Sequence, residues 1–318
     1  MILTVTPNPS LDRTYEVPRL VRGEVLRASG EQTDPGGKGV NVSRALAAAG
    51  HRTVAVLPLG GAAGNALADL LAAQGIEVAG VPVSGPTRSN VSLVEGNGVL
   101  TKVNAAGPLL SDAESEALLE TVRRRSAEAE WIACCGSLPR GLGPRWYAEA
   151  VARARHAGAR IALDASGPSL TAALAANPDV VKPNAWELAQ AVDRPLASFG
   201  DVVKAARELR DAGARAVLAS LGGDGQLLVE ESGTYHAEAP VQAVRSDVGA
   251  GDASLAGFLL AGGTGPRALA HAVAYGAAAV QLPGSVMPAP ADLVPAAVRL
   301  TEDVPGDRRL TQTADPRP

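Results

Sequence analysis

Short, nearly all-apolar runs alternate with longer amphipathic stretches through the first 220 residues of this chain, and that alternation leaves few folds open. Ile2–Thr6, Thr53–Leu57, Trp131–Cys135, Arg160–Asp164, Val180–Lys182 and Ala216–Ser220 are short runs dominated by apolar residues, as expected of strands buried on both faces. Between them, Val40–Ala49, Asn65–Gln74, Asp112–Glu128, Pro144–His156, Trp186–Val192 and Asp201–Ala212 read as helices. Strand and helix repeating in this way predict an α/β fold, a doubly wound, mostly parallel sheet flanked by helices. Past residue 221, Gln226–Glu230 and Thr234–Ala237 flank a Ser-Gly turn and predict a hairpin, followed by two Ala-rich helices near 250–261 and 266–281. Two segments, about 12–34 and 86–106, break the pattern: they alternate and are polar on one side, and the second contains the turn Gly96-Asn97-Gly98. They predict a small separate β-sheet, a lid over one end of the domain. Residues 1–303 then form one domain, and the polar, Pro-rich stretch 304–318 is expected to be a flexible tail.

With 318 residues, 46% of them apolar, the chain can bury a large core, and with only 3% aromatics that core is built from Ala, Val and Leu. Its 29 Lys+Arg against 33 Asp+Glu leave a net charge of −4, so no basic excess supports general nucleic-acid binding. The N-terminus MILTVTPNPSLDR has neither a basic n-region nor a long apolar run. The charge-free stretch Ala268–Ala291 contains His271, Gln281 and a cluster of Pro and Gly, which suits a buried helix and loop rather than a membrane span. A cytoplasmic location without a membrane partner is expected. Cys134 and Cys135 are adjacent and have no third cysteine to pair with, so they read as small apolar strand residues.

Several familiar chemistries drop out. Gly37-Lys38 lacks the Gly at position 32 and the Ser or Thr at position 39 that a Walker A loop needs. No G-x-S-x-G is present, His51, His156, His236 and His271 lack metal-ligand spacing, and Gly60–Gly64 does not match G-x-G-x-x-G. What stands out is Val248-Gly249-Ala250-Gly251-Asp252, opening an apolar helix. Glycines there let the backbone turn and aim free amides outward, and a helix start favours an anion. Asp252, in the first turn, suits a base taking a proton from a hydroxyl that attacks a phosphoryl group; plain helix capping is the alternative. Pro35-Gly36-Gly37-Lys38-Gly39-Val40-Asn41 is a second Gly-rich helix start, with a cation and an amide that can grip sugar hydroxyls or phosphate. Asp12, Gly136-Ser137-Leu138-Pro139 and Ser220–Gly225 also follow strands, at the sheet edge where α/β folds bind ligands.

Together PGGKGVNVSRAL (35–46) and VGAGD (248–252) resemble the two signatures of the ribokinase-like (PfkB) carbohydrate kinases, a resemblance running from residue 1 to about 300. It implies transfer of the ATP γ-phosphate to a sugar hydroxyl, with Mg²⁺ as cofactor. By position, Asp252 resembles the catalytic base, and Gly249, Ala250 and Gly251 the anion hole. Lys182-Pro183-Asn184-Ala185-Trp186-Glu187 resembles the family's K-P-N-x-x-E element, which puts Lys182 and Asn184 by the nucleotide and Glu187 near Mg²⁺, through water. Ser220, Gly222 and Gly225 resemble the loop that holds ATP. Asn-Pro-Ser-Leu-Asp at 8–12, Thr-Arg-Ser-Asn at 87–90 and Gly-Ser-Leu-Pro at 136–139 resemble the members that act on phosphorylated ketohexoses. That implies transfer to O6 of fructose 1-phosphate, with Asp12, Arg27, Gly36, Gly37, Lys38, Asn41, Arg88, Asn90 and Ser137 around the sugar. The cations Arg27, Lys38, Arg88 and Lys102 agree with a phosphorylated substrate. Tagatose-6-phosphate kinase, 6-phosphofructokinase and a non-catalytic sugar-phosphate sensor are the alternatives. The chain departs from the family where Asp247 and Ala253 replace the usual Thr and Ser or Thr; Asp247, beside the nucleotide, repels it unless a cation intervenes. A small sheet with one apolar face, Val91, Leu93 and Val99, further predicts a homodimer through the lid.

Overall fold

The computed structural model describes residues 1–314. In chain order β1 (Ile2–Val5), β2 (Ser10–Val17), β3 (Gly30–Gly36), α1 (Lys38–Ala48), β4 (Thr53–Leu59) and α2 (Gly61–Ala73) are followed by β5 (Glu77–Pro82), β6 (Arg88–Glu95) and β7 (Leu100–Val103). Then come α3 (Asp112–Ser126), β8 (Trp131–Cys135), α4 (Trp146–Arg155), β9 (Arg160–Asp164), α5 (Gly167–Leu174), β10 (Val180–Val181), α6 (Ala185–Ala191), β11 (Leu196–Ser198) and α7 (Phe199–Asp211). The chain ends with β12 (Val217–Ser220), β13 (Gln226–Glu230), β14 (Gly233–Glu238), α8 (Ala250–Leu260), α9 (Gly265–Ala279), β15 (Arg299–Thr301) and β16 (Arg309–Ala314).

Ten strands form one sheet in the order β15-β14-β13-β12-β10-β9-β8-β1-β4-β5. From β5 to β12 neighbours run parallel, and β13, β14 and β15 add an antiparallel edge. Period-two side-chain alternation sorts the strand residues between the two faces. Leu3, Val5, Ile132 and Cys134 join the core under α3 to α7, whereas Ile2, Ala133 and Cys135 join the core under α1, α8 and α9. The adjacent cysteines thus point to opposite faces, and burial pushes the Cys134 thiol up to about 12. The order reverses at β1, which lies between β8 and β4, and such a switch leaves a crevice at the carboxyl ends of the strands. The second sheet, β3-β2-β6-β7, has four strands and stands apart from the first. Its β2 starts at Ser10 and its β3 runs to Gly36, slightly beyond the limits expected from sequence.

The expectation of a flexible tail is corrected over 309–314. These residues form β16, antiparallel to β11, with Leu310 and Ala314 buried. Only two side chains of this polar segment turn inward, so it carries almost no hydrophobic pattern; its pairing partner, the three-residue β11, is equally cryptic. Residues 315–318 lie outside the described ones. β5 and α5 were likewise not expected from the sequence.

Candidate active site

Two helix starts meet at the crevice. Gly37, at φ 121°, turns the chain from β3 into α1, a conformation that favours glycine. A Cβ on Gly36 would collide with the Asp12 carboxylate, so the lid strand and the helix start fit only without a side chain there. Gly249, left-handed at φ 77°, starts α8. The amides of Gly251 and Asp252 have no backbone acceptor among the described residues, and the Ala250 amide makes only a long bond, 3.4 Å, to the Asp247 carbonyl. Free amides at a helix start form the anion-binding geometry expected from the sequence.

α1 and α8 lie on the same sheet face and place Asn41 Nδ2 2.9 Å from Asp252 Oδ2. Both residues are buried, yet Asp252 has no direct ion-pair partner among the described residues. Burial foremost, and the negative charge of Asp164 next, push the Asp252 carboxyl up to about 6, against the opposing pull of Lys182, the Asn41 amide and Lys38. The carboxylate is thereby a stronger base than an ordinary aspartate.

Asp164, which closes β9, was missed in the sequence reading. It is fully buried, and Lys38 Nζ at 2.7 Å and Lys182 Nζ at 2.8 Å clasp its two oxygens. Burial alone would raise its carboxyl, but Lys182 and Lys38 hold it below the usual carboxylate range. In turn, although burial opposes it, Asp164 and Glu187 raise the Lys38 ammonium above its ordinary range, Glu187 Oε1 standing 3.4 Å away. The available signal was a lone carboxylate ending an otherwise apolar strand, Ile161-Ala162-Leu163-Asp164. Lys182 Nζ also lies 3.2 Å from where a Cβ on Gly251 would be, so its charge flanks the free amides.

Asn184 and Glu187 form a reciprocal cap on α6: Asn184 Oδ1 accepts from the Glu187 amide at 2.8 Å, and Glu187 Oε2 from the Asn184 amide at 2.9 Å. Asn184 bridges to Ser220, which leads into the turn where Gly222 and Gly225 adopt positive φ. Asp247 is exposed and makes no side-chain hydrogen bond or ion pair among the described residues. On the lid, Asn90 Nδ2 donates to Asp12 Oδ1 at 2.9 Å and to Ser10 Oγ at 3.0 Å. Arg88 donates to the carbonyls of Asn8 and Ala105, each at 2.9 Å, and its Nε is buried without a partner among the described residues. Asn8 in turn donates to Ser137 Oγ at 3.3 Å, joining the lid base to the loop after β8. Arg27 is exposed on the loop between β2 and β3 and bonds to none of these residues.

Residues 6–292 match the family described as pfkB family carbohydrate kinase. The chain belongs to the pfkB family of carbohydrate kinases. It is therefore a phosphotransferase acting on an alcohol group, with ATP as the donor that kinase membership implies. This pfkB kinase is 42% identical over 261 residues to the 1-phosphofructokinase of Rhodobacter capsulatus, covering 81% of the chain and 82% of that protein. It is 36% identical to the ATP-dependent 6-phosphofructokinase isozyme 2 of Escherichia coli strain K12, covering 81% of the chain and 84% of that protein. Among solved structures, phosphofructokinase-2 from Escherichia coli in complex with potassium superposes with a TM-score of 0.87 at 34% identity, covering 92% of this chain and 96% of that one. The ribokinase-like fold of the family accounts for the sheet order, the flanking helices and the separate small sheet.

Proposed function

We propose that the protein is an ATP-dependent kinase that phosphorylates fructose 1-phosphate at O6, giving fructose 1,6-bisphosphate. The observation that carries the chemistry is Asp252: a buried carboxylate pushed up to about 6, oriented by Asn41, beside free amides at the start of α8. As O6 attacks the γ-phosphorus, its proton passes to Asp252, the O6–P bond forms and the bond to the β-phosphate oxygen breaks, releasing ADP. The charge spreading over the γ-oxygens meets the amides of Gly249, Ala250 and Gly251 and the ammonium of Lys182. The choice of sugar rests on the 42% identity to a 1-phosphofructokinase and on the lid, where Asp12 and Asn90 are tied together and Arg88 keeps one buried donor for a phosphate. Gly36, Gly37, Lys38 and Ser137 line the sugar side, with Arg27 reaching it only if its loop folds inward. Ser220, Gly222 and Gly225 face the nucleotide, with Asn184 and Asp247 beside it.

Mg²⁺ fits this donor set. An ion carried mainly by phosphates and water needs few protein ligands, and the Glu187 carboxylate, with lone pairs left beyond its bonds to Lys38 and the Asn184 amide, would be its outer partner. Bound there, it would neutralise phosphate charge. A cytoplasmic location is part of the same reading; no helix among the described residues is long and apolar enough to cross a membrane.

The test is ADP formation with fructose 1-phosphate, fructose 6-phosphate, tagatose 6-phosphate and ribose. The expected result is the highest kcat/KM for fructose 1-phosphate. A preference for fructose 6-phosphate would assign the chain the activity in the name of its 36% identical relative. Sugar binding without ADP formation for every substrate would make it a sensor.

A further inference from the structure

The turn from Leu221 to Gly225 is secured from behind by the end of the chain. Its own backbone bonds are three: the Leu221 amide to the Gly225 carbonyl at 2.9 Å, and the Asp224 and Gly225 amides to the Leu221 and Gly222 carbonyls, each at 3.2 Å. Its anchor is Asp224, 6% exposed. The Asp224 carboxylate accepts from both the amide and the hydroxyl of Thr311, each at 2.7 Å, and Arg308 lies 3.7 Å from Oδ1. The Asp224 carbonyl accepts from the buried His236 Nε2 at 2.8 Å, so that ring carries its proton on Nε2.

The segment that supplies Thr311 is itself firmly seated. Its Arg308 guanidinium lies 4.5 Å from the centre of the Phe199 ring and pairs with Glu238 at 2.9 Å, and His236 packs on the same ring at 4.9 Å. The amides of Phe199 and Gly200 donate to the carbonyls of Arg308 and Gly306, both at 2.9 Å. β16 then pairs with β11 and buries Leu310 and Ala314. Charge-assisted bonds to a buried carboxylate are strong, and leaving one unmade is costly. The turn's backbone bonds and the Ser220–Gln226 pair close it, and among the described side chains the Asp224 carboxylate ties it to the 308–311 segment.

We propose that Arg308–Ala314 is a positioning strap for the nucleotide-facing turn, acting through Asp224, so that ATP affinity depends on a stretch of chain outside the kinase motifs. The strap rests on the proposed function for what the turn faces. Thr311 is a positioning residue. Thr311→Val keeps the β-branched shape and removes only the hydroxyl bond, Thr311→Ser restores it, and deleting residues 308–318 removes the strap altogether. For Thr311→Val the expected result is a KM for ATP raised about three- to tenfold, the scale of one ordinary hydrogen bond, because the charged bond lost at Asp224 reaches ATP only through the turn. The KM for fructose 1-phosphate stays within about twofold, Thr311→Ser behaves as the unaltered protein, and amide exchange quickens at Leu221–Gly225. The deletion is expected to raise the KM for ATP further. An unchanged KM for ATP in Thr311→Val overturns the proposal, whether or not exchange at the turn quickens. Failure of the proposed function is distinguishable, because it appears in the unaltered protein as no ADP formed with any sugar.

Discussion

At the residue scale the chemistry turns on how two buried aspartates are treated differently. Asp164 has two lysines within 2.8 Å and stays ionised; Asp252 has one neutral amide and is pushed up to about 6. Pairs of carboxylates whose surroundings separate their protonation are a common basis for assigning base and bystander. Asp252→Asn is expected to lower kcat about a thousandfold while fructose 1-phosphate still binds by calorimetry, because a positioned base contributes roughly 10²–10⁴. Retention of a tenth of the turnover would remove Asp252 from the mechanism. The raised value also sets a pH dependence. The base must be deprotonated, so kcat/KM is expected to rise tenfold per pH unit below about 6 and to level off above it. A rate independent of pH between about 5 and 7 would contradict the assignment. Asp247 is a milder case. Exposed and unpaired among the described residues, it adds a screened negative charge which, on the proposed function, lies near the nucleotide. Asp247→Thr is expected to lower the KM for ATP a few-fold at low salt, and less at high salt. Identical titrations at both ionic strengths would show that the substitution has no electrostatic consequence.

At the scale of elements, the crevice is assembled by ends rather than by middles: the carboxyl ends of β1, β8, β9, β10 and β12 and the starts of α1, α6 and α8. Helix starts carry unsatisfied amides, and each is handled differently. α6 closes its own with the Asn184–Glu187 cap, while α8 leaves the Gly251 and Asp252 amides without a backbone acceptor among the described residues. The lid joins this group through β2, whose first residue pairs with Gly36 on one side and Arg88 on the other. Two nitrogens of Arg88 secure the base of the small sheet, and its Nε is buried without a partner among the described residues. Arg88→Ala is expected to raise the KM for fructose 1-phosphate at least about tenfold, the scale of one lost hydrogen bond to a charged group, with a smaller change for ATP. Equal effects on the two substrates in steady-state kinetics would detach the lid from the sugar.

At the scale of the whole molecule, the small sheet shows why a second copy is expected. Strand alternation puts Asp12 and Asn90 on one face and Val91, Leu93 and Val103 on the other, Val91 lying opposite Val103 in register. One face holds the hydrogen-bonded Asp12–Asn90 pair, whereas Val103 is 61% exposed and Val99 50%. Arg13 and Glu31 pair on this same face, so its exposed valines form an apolar strip beside an ion pair, a surface that suits association. A homodimer through the lids is expected by light scattering at micromolar concentration, and Val103→Asp is expected to shift it toward monomer. A monomeric unaltered protein would refute the arrangement.

Much of this molecule was legible in its sequence because the signals are local. Apolar runs long enough to be strands, helices with one apolar face, and glycines before helix starts follow from the backbone itself, so the parallel sheet, the separate small sheet and the loops bearing Lys38 and Asp252 could be read directly, whereas Asn184 came only from the family resemblance. Two things required the tertiary structure. Asp164 looks like an ordinary strand-ending aspartate until β9 sets it between Lys38 and Lys182, residues 126 positions before and 18 positions after it. The segment 309–314 looks like a frayed end until β11 offers it a partner and Asp224 accepts its Thr311. In both cases a group's role is set by charges and hydrogen-bond partners distant in sequence, and the energy of such a contact depends on a separation that only the folded chain defines.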